Sequence, residues 1–248
     1  MKDDKCFSIV VVFLMLHHVP AAARFVADLG AVQGRFLFSF AHYYDPANVA
    51  LGPLRVLNDY RLAPRSSQPL HPHSEIEIVT IVLAGALTYA DAAGNLRDLR
   101  AGQVLRLTAG AAFQHAESNR GATAAHALEL WFAPGQPNLQ PSQEQKAIDF
   151  QERANEWTPL VSGRGDGGAA AVFLNGDATV WWANLTPGAT LAYAADESRQ
   201  HLVYAVDGSA TLNGERLEAG DHVRLSGETH LTVASPAGAR VLLVDVPR

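Results

Sequence analysis

The sequence predicts an all-β protein made of two tandem antiparallel β-barrels with a short helical linker between them. Three observations carry this. Strand-like runs rich in Val, Leu, Thr and aromatics are broken throughout by Gly, Asn, Asp and Pro. The two halves of the chain repeat one another. Residue types that bind metals recur two apart inside strand-like segments, in His71-Pro72-His73 and again in His115-Ala116-Glu117.

In chain order, the apolar run Ser8–Leu16 follows Lys2 and Lys5 and precedes Ala21-Ala22-Ala23, the outline of a secretory signal. It is too short to span a bilayer, and Asp3-Asp4 spoil the positive start. A buried strand behind an extension that ends before Met15 is the favoured reading, with residues 1–23 as leader-like segment and first strand. A cytoplasmic location is expected, or a periplasmic one if residues 1–23 act as a signal peptide. Residues 24–140 form the first barrel. Its strands include Ile76-Glu77-Ile78-Val79-Thr80-Ile81-Val82-Leu83 and Val104-Leu105-Arg106-Leu107, with a hairpin tip at Ala90–Asn95. Ser142 to Glu156, after Pro137 and Pro141, reads as helix or linker, which places a boundary at 141–160. Residues 161–248 form the second barrel, with an Asn213-Gly214 hairpin. Gly163–Gly168 opens no helix and reads as a loop rather than a phosphate cradle.

The repeat is anchored by Ala84-Gly85-Ala86-Leu87-Thr88 against Asp207-Gly208-Ser209-Ala210-Thr211. A second anchor pairs Leu99-Arg100-Ala101-Gly102 with Leu217-Glu218-Ala219-Gly220. The Gly-to-Gly spacing is 102 − 85 = 17 in the first copy and 220 − 208 = 12 in the second, and the difference falls in a hairpin. Counting equal offsets from these glycines maps His71, His73, His115 and Glu117 onto Ala194, Asp196, Val233 and Ser235. The second copy therefore lacks the set.

Alternate residues of a strand share a face, so each pair can aim two side chains at one point. Two such strands side by side supply three imidazoles and a carboxylate, suited to one divalent first-row metal: Fe(II), Ni, Co, Cu, Mn or Zn. The other histidines lack partners at ligand spacing. His126 reads as a hydrogen-bonded strand residue, and His201, His222 and His230 read as structural. Adjacent His17 and His18 point to opposite faces. Trp131, Trp181 and Trp182 read as core aromatics. Arg55 and Asn58-Asp59 fit either polar contacts at the metal mouth or turn chemistry.

Composition excludes other classes. Net charge is −6 without a Lys/Arg-rich run, which disfavours direct binding to nucleic acid or anionic membrane. Cys6 is the only cysteine, so no internal disulfide and no cysteine-based zinc site can form.

The motifs Phe38-Ser39-Phe40-Ala41-His42-Tyr43-Tyr44-Asp45-Pro46, Leu54-Arg55-Val56-Leu57-Asn58-Asp59, His71-Pro72-His73 with Glu77, and Thr108-Ala109-Gly110 through His115-Ala116-Glu117 together resemble the pirin family. The likeness runs from about Met15 to the C-terminus and weakens after residue 150. It implies two cupin-type barrels (a bicupin) with Fe(II) as the expected metal, held by His71, His73, His115 and Glu117. The general cupin pattern also fits Glu77 as a ligand; the resemblance assigns Glu117 instead and leaves Glu77 and Asn58 to orient ligands. His42 and Ser74-Glu75 depart from common pirins, and Glu75 makes the mouth more acidic. The implied activity is a quercetin 2,3-dioxygenase acting on a flavonol or similar aromatic enol with dioxygen, with Glu117 as a base. The other implied role is a non-catalytic metal-bearing redox or stress sensor acting on a protein partner.

Overall fold

The computed structural model describes residues 15–165, 168 and 171–248. The apolar run Ser8–Leu16 therefore lies, apart from its last two residues, outside the described residues, as does part of the Gly163–Gly168 loop. Among the described residues the regular elements are β-strands and one 3-10 turn at Ala21–Ala23. No helix there is long and apolar enough to cross a membrane.

The first half is a seven-stranded sheet facing a four-stranded one. The larger runs Ser142–Ala147, Gln103–Thr108, Glu77–Ala84, Ala125–Phe132, Leu54–Leu62, Val32–Phe36, Phe25–Leu29; the smaller runs Ser66–His73, Phe113–Asn119, Ala86–Asp91, Leu96–Arg100. The second half is built on a ten-stranded sheet. Its longest strand, Arg199–Leu212, pairs with His222–Ser226 and Ala239–Pro247 through its first part. Its last part pairs with Glu215–Glu218 and His230–Ser235. The expected barrels are thus cupin sandwiches: the two sheets of the first half are not joined into a closed cylinder.

The order of layers explains the sequence pattern. One apolar cluster, including Val32, Leu62, Val82 and Leu105, fills the first sandwich. Another, including Leu212, Leu231, Val233 and Leu243, fills the second. A third lies between the halves, where Val79, Ile81 and Phe132 meet Trp182, Tyr204 and Val244. Each large sheet is therefore covered on both faces. That is why Glu77–Ala84 reads as a nearly continuous apolar run instead of alternating.

The helical linker is not found. Ser142–Ala147 is an edge strand antiparallel to Gln103–Thr108. Its Gln143-Glu144-Gln145-Lys146 stretch has helix-favouring residues but no apolar stripe to bury, so the open sheet edge decides its conformation. Arg97 donates to Gln143 Oε1 at 3.0 Å and to Gln145 Oε1 at 3.2 Å, which fixes this edge to the small sheet. Met15–Val19 pairs with His222–Ser226 of the second half, so the chain starts its described course on the far sandwich.

Candidate metal centre

Ser66–His73 and Phe113–Asn119 pair antiparallel with His115 opposite His71, Phe113 opposite His73 and Glu117 opposite Gln68. The register slips between His115 and Glu117, a bulge at Pro69-Leu70 on the partner strand. Ring centroids of His71, His73 and His115 lie 4.7 to 4.8 Å apart. One ring nitrogen from each falls within 4.8 Å of the others, a group able to hold a metal ion.

Their nitrogens fit that role. His71 Nδ1 donates to the Pro69 carbonyl at 2.8 Å, which leaves Nε2 with its lone pair. His73 Nε2 and both nitrogens of His115 are buried without a hydrogen-bond partner, an arrangement that water and protein leave costly and a cation relieves. Burial, reinforced by His71, pushes the His73 imidazole down to about 4. Burial, with His73 and His71 nearby, pushes His115 down to about 3. Both rings are thus neutral at physiological pH, the form that binds metal.

Glu117 is adjacent but otherwise engaged. Its Oε1 lies 3.7 Å from His115 Nε2, while Oε2 accepts from the Tyr60 hydroxyl at 3.0 Å and from Gln68 at 3.4 Å. A second buried carboxyl, Glu129, shares a hydrogen bond with it and accepts from Trp131 Nε1 at 2.8 Å. Burial raises Glu117, and burial beside Glu117 raises Glu129 well above the ordinary carboxylate range. Mutual burial thus favours the protonated form in this pair, more strongly at Glu129 than at Glu117. Glu77 does not serve as expected. Its buried carboxylate accepts from Thr108 at 2.9 Å and from the Asn175 side chain at 2.7 Å and backbone at 2.9 Å. Among the described residues no hydrogen bond links it to a histidine of the cluster; it fastens the first half to the second. Asn58 lies in the wall of a cavity beside the histidines, at 3% exposure.

That cavity, of about 220 Å³, is lined by His71 and Glu117 on one side and by Phe36, Phe40 and Trp131 on others. Trp131 is half-buried and meets His73 edge-on at 4.9 Å, so it belongs to the site rather than to the core alone. A second cavity, of about 210 Å³, is lined by His115 with Tyr89, Arg97 and Phe113. Sequence reading missed Glu129, Tyr60 and Gln68. A signal for Glu129 existed: it is the one charge inside Leu128-Glu129-Leu130-Trp131-Phe132.

The remaining residues lie elsewhere. His126 bonds Asp59 at 2.6 Å, and the Tyr204 hydroxyl of the second half donates to the same carboxylate. Arg55 donates to the Gly52 carbonyl. His18 sits between Glu215 and Asp221, at 2.8 and 3.2 Å. His201 and His222 are buried, and His230 is exposed. Trp182 is fully buried, and Trp181 packs on the interior of the second sandwich.

Strand pairing also corrects the equivalence drawn from offsets. Ser118 faces Thr88 as Ala234 faces Thr211, and His115 faces His71 as Leu231 faces Tyr193. The second-copy counterparts of His71, His73, His115 and Glu117 are therefore Tyr193, Ala195, Leu231 and Val233. The loops outside the anchoring glycines differ in length, which shifted the simple count. The second copy still lacks the ligand set.

Comparison with known proteins agrees with this geometry. The family model described as Pirin matches residues 19–132, and one described as the quercetinase C-terminal cupin domain matches residues 160–246. A pirin-like protein of Caulobacter vibrioides is 36% identical over 88% of this chain and 94% of its own length. A quercetin 2,3-dioxygenase of Escherichia coli K12 is 29% identical over 94% of this chain and 99% of its own. The crystal structure of the bacterial pirin YhhW from Escherichia coli in complex with nickel(II) superposes with a TM-score of 0.87 at 26% identity, covering 94% of this chain and 99% of that one. Two cupin sandwiches, a three-histidine cluster that among the described residues occurs in the first alone, and relatives of these kinds together place the chain in the pirin family.

Proposed function

We propose that this protein is a mononuclear metal-dependent dioxygenase of the quercetin 2,3-dioxygenase type, with His71, His73, His115 and Glu117 as the metal ligands. The observation that carries the reading is a cluster of three histidines, two of them neutral with buried unpaired nitrogens, whose third member, His71, lines an aromatic-walled cavity that also contains a buried carboxyl pair. The names of its relatives support it. Fe(II) is the expected metal; three nitrogens and an oxygen also suit Ni, Co, Cu, Mn or Zn. The bound ion would supply Lewis acidity and a template for an enol substrate and dioxygen.

The chain's own residues then have separable tasks. Phe36, Phe40 and Trp131 receive a planar aromatic ring and exclude water. Glu117 takes the proton of the substrate hydroxyl. Tyr60 and Gln68 hold Glu117 in place through Oε2. Glu129, bonded to Trp131, restrains the same carboxyl from behind. The other Glu117 oxygen, Oε1, stands 3.7 Å from His115 Nε2 while Oε2 keeps its bonds to Tyr60 and Gln68.

Aerobic incubation of iron-, nickel- or copper-loaded protein with quercetin tests the reading. Loss of flavonol absorbance that vanishes in His73→Ala is the expected result. No turnover with any metal would overturn it and leave the sensor role.

A further inference from the structure

The inference concerns selectivity and rests on the dioxygenase reading above. Asn58 stands on Leu54–Leu62 directly opposite Glu129 on one neighbouring strand and Phe36 on the other. Its side chain lines the cavity, is 3% exposed, and its Oδ1 has no hydrogen-bond partner. The other polar groups of this wall are committed: Tyr60 and Gln68 to Glu117, Trp131 to Glu129. A buried amide oxygen without a donor is a standing cost that a donor on the bound molecule removes. The second copy carries a different residue at this position. There Trp181 faces Leu243, where Asn58 faces Glu129 in the first copy.

We propose that Asn58 is the specificity-determining contact of the cavity: its carboxamide oxygen accepts a hydrogen bond from a hydroxyl that the aromatic ligand carries in addition to its two metal-chelating oxygens. The preferred ligands are thus polyhydroxylated aromatics, and analogues carrying only the chelating pair are discriminated against. A site built around a hydrogen bond rejects a ligand that leaves its polar atom unpaired.

The test is binding without turnover. Nickel-loaded protein under argon is titrated with 3-hydroxyflavone, which carries only the chelating pair, and with quercetin. Quenching of tryptophan emission reports occupancy, because Trp131 lines the cavity. Wild type is expected to bind quercetin about tenfold tighter than 3-hydroxyflavone, the worth of one buried hydrogen bond. In Asn58→Leu the ratio falls to about one, and Asn58→Asp, which keeps an acceptor, retains a preference. Asn58→Val repeats the measurement should the leucine variant not fold. An unchanged ratio in Asn58→Leu or Asn58→Val, or no preference in wild type, would overturn the proposal while leaving the dioxygenase reading intact. Failure of wild type to bind either flavonol would overturn both.

Discussion

The two sandwiches share one strand plan and differ in what fills them. Where the first places His71, His73, His115 and Glu117, the second places Tyr193, Ala195, Leu231 and Val233. Where the first sets Glu129 opposite Asn58, the second sets Leu243 opposite Trp181. The interior of the second copy is thus apolar at the positions where the first carries its site, with Leu231, Val233 and Leu243 fully buried. The first forgoes part of that core, exchanging buried apolar surface for imidazoles with unpaired buried nitrogens and for carboxyls that neighbouring side chains hydrogen-bond. A fold common to both halves therefore confers no chemistry by itself; six or so inward-facing positions do.

Exchanging the characters of the two interiors should show this most strongly. Leu243→Glu places a carboxyl in the second core with no cation beside it, and should cost about 4 kcal/mol or more. The check is the urea midpoint. A shift small enough to match a surface substitution would mean that the second interior is not the dry core described. The first interior responds differently, because its polar groups await a ligand. His73→Ala should abolish stoichiometric metal in elemental analysis and lower flavonol turnover at least about a hundredfold, equivalent to about 3 kcal/mol, while leaving the apo protein folded.

Acid should act on both halves next, since burial also holds His222 of the second half well below its ordinary value. His73 and His115 titrate in the folded state at about 4 and about 3, below their ordinary value. Between that value and the depressed ones the unfolded chain binds more protons, so stability falls as pH drops through this window and is restored above it. The slope for the metal-free protein should be on the order of 1.4 kcal/mol per pH unit for each of these histidines. Thermal melts at pH 7, 6 and 5 measure it. A flat profile across that range would contradict their burial as neutral rings.

The smallest effect lies at the contact between the halves. Tyr204→Phe removes the second-half donor to Asp59 and should cost about 1 kcal/mol. Hydrogen bonding to His126 and Tyr204 outweighs burial and holds Asp59 below the usual carboxylate value. Its stabilising share is therefore present above that value and lost as pH falls. The variant should lose less stability than wild type on acidification from pH 5 to pH 3.

Much of the site was legible because a strand's two-residue period is local. His71-Pro72-His73 and His115-Ala116-Glu117 announce two inward-facing pairs, and strand pairing brings the three histidines together. Glu77 misled because spacing alone cannot say which carboxylate faces which neighbour. Asn175, nearly a hundred residues away, takes both its oxygens. Glu129 went unread because a single charge in an apolar strand has no partner within its own segment. The segment Ser142–Ala147 misled for a related reason: its composition favours helix, and its conformation was set by a distant strand with a free edge.

The amino-acid order by itself determined the strand-rich class, the duplication and the three histidines, since each follows from periodicity or repetition along the chain. Tertiary structure alone decided which carboxyls enter the cavity, how the halves pack through a shared apolar layer, and that Tyr204 reaches Asp59. Those outcomes depend on contacts between residues far apart in sequence, where desolvation and pairing energies are settled only once both partners are in place.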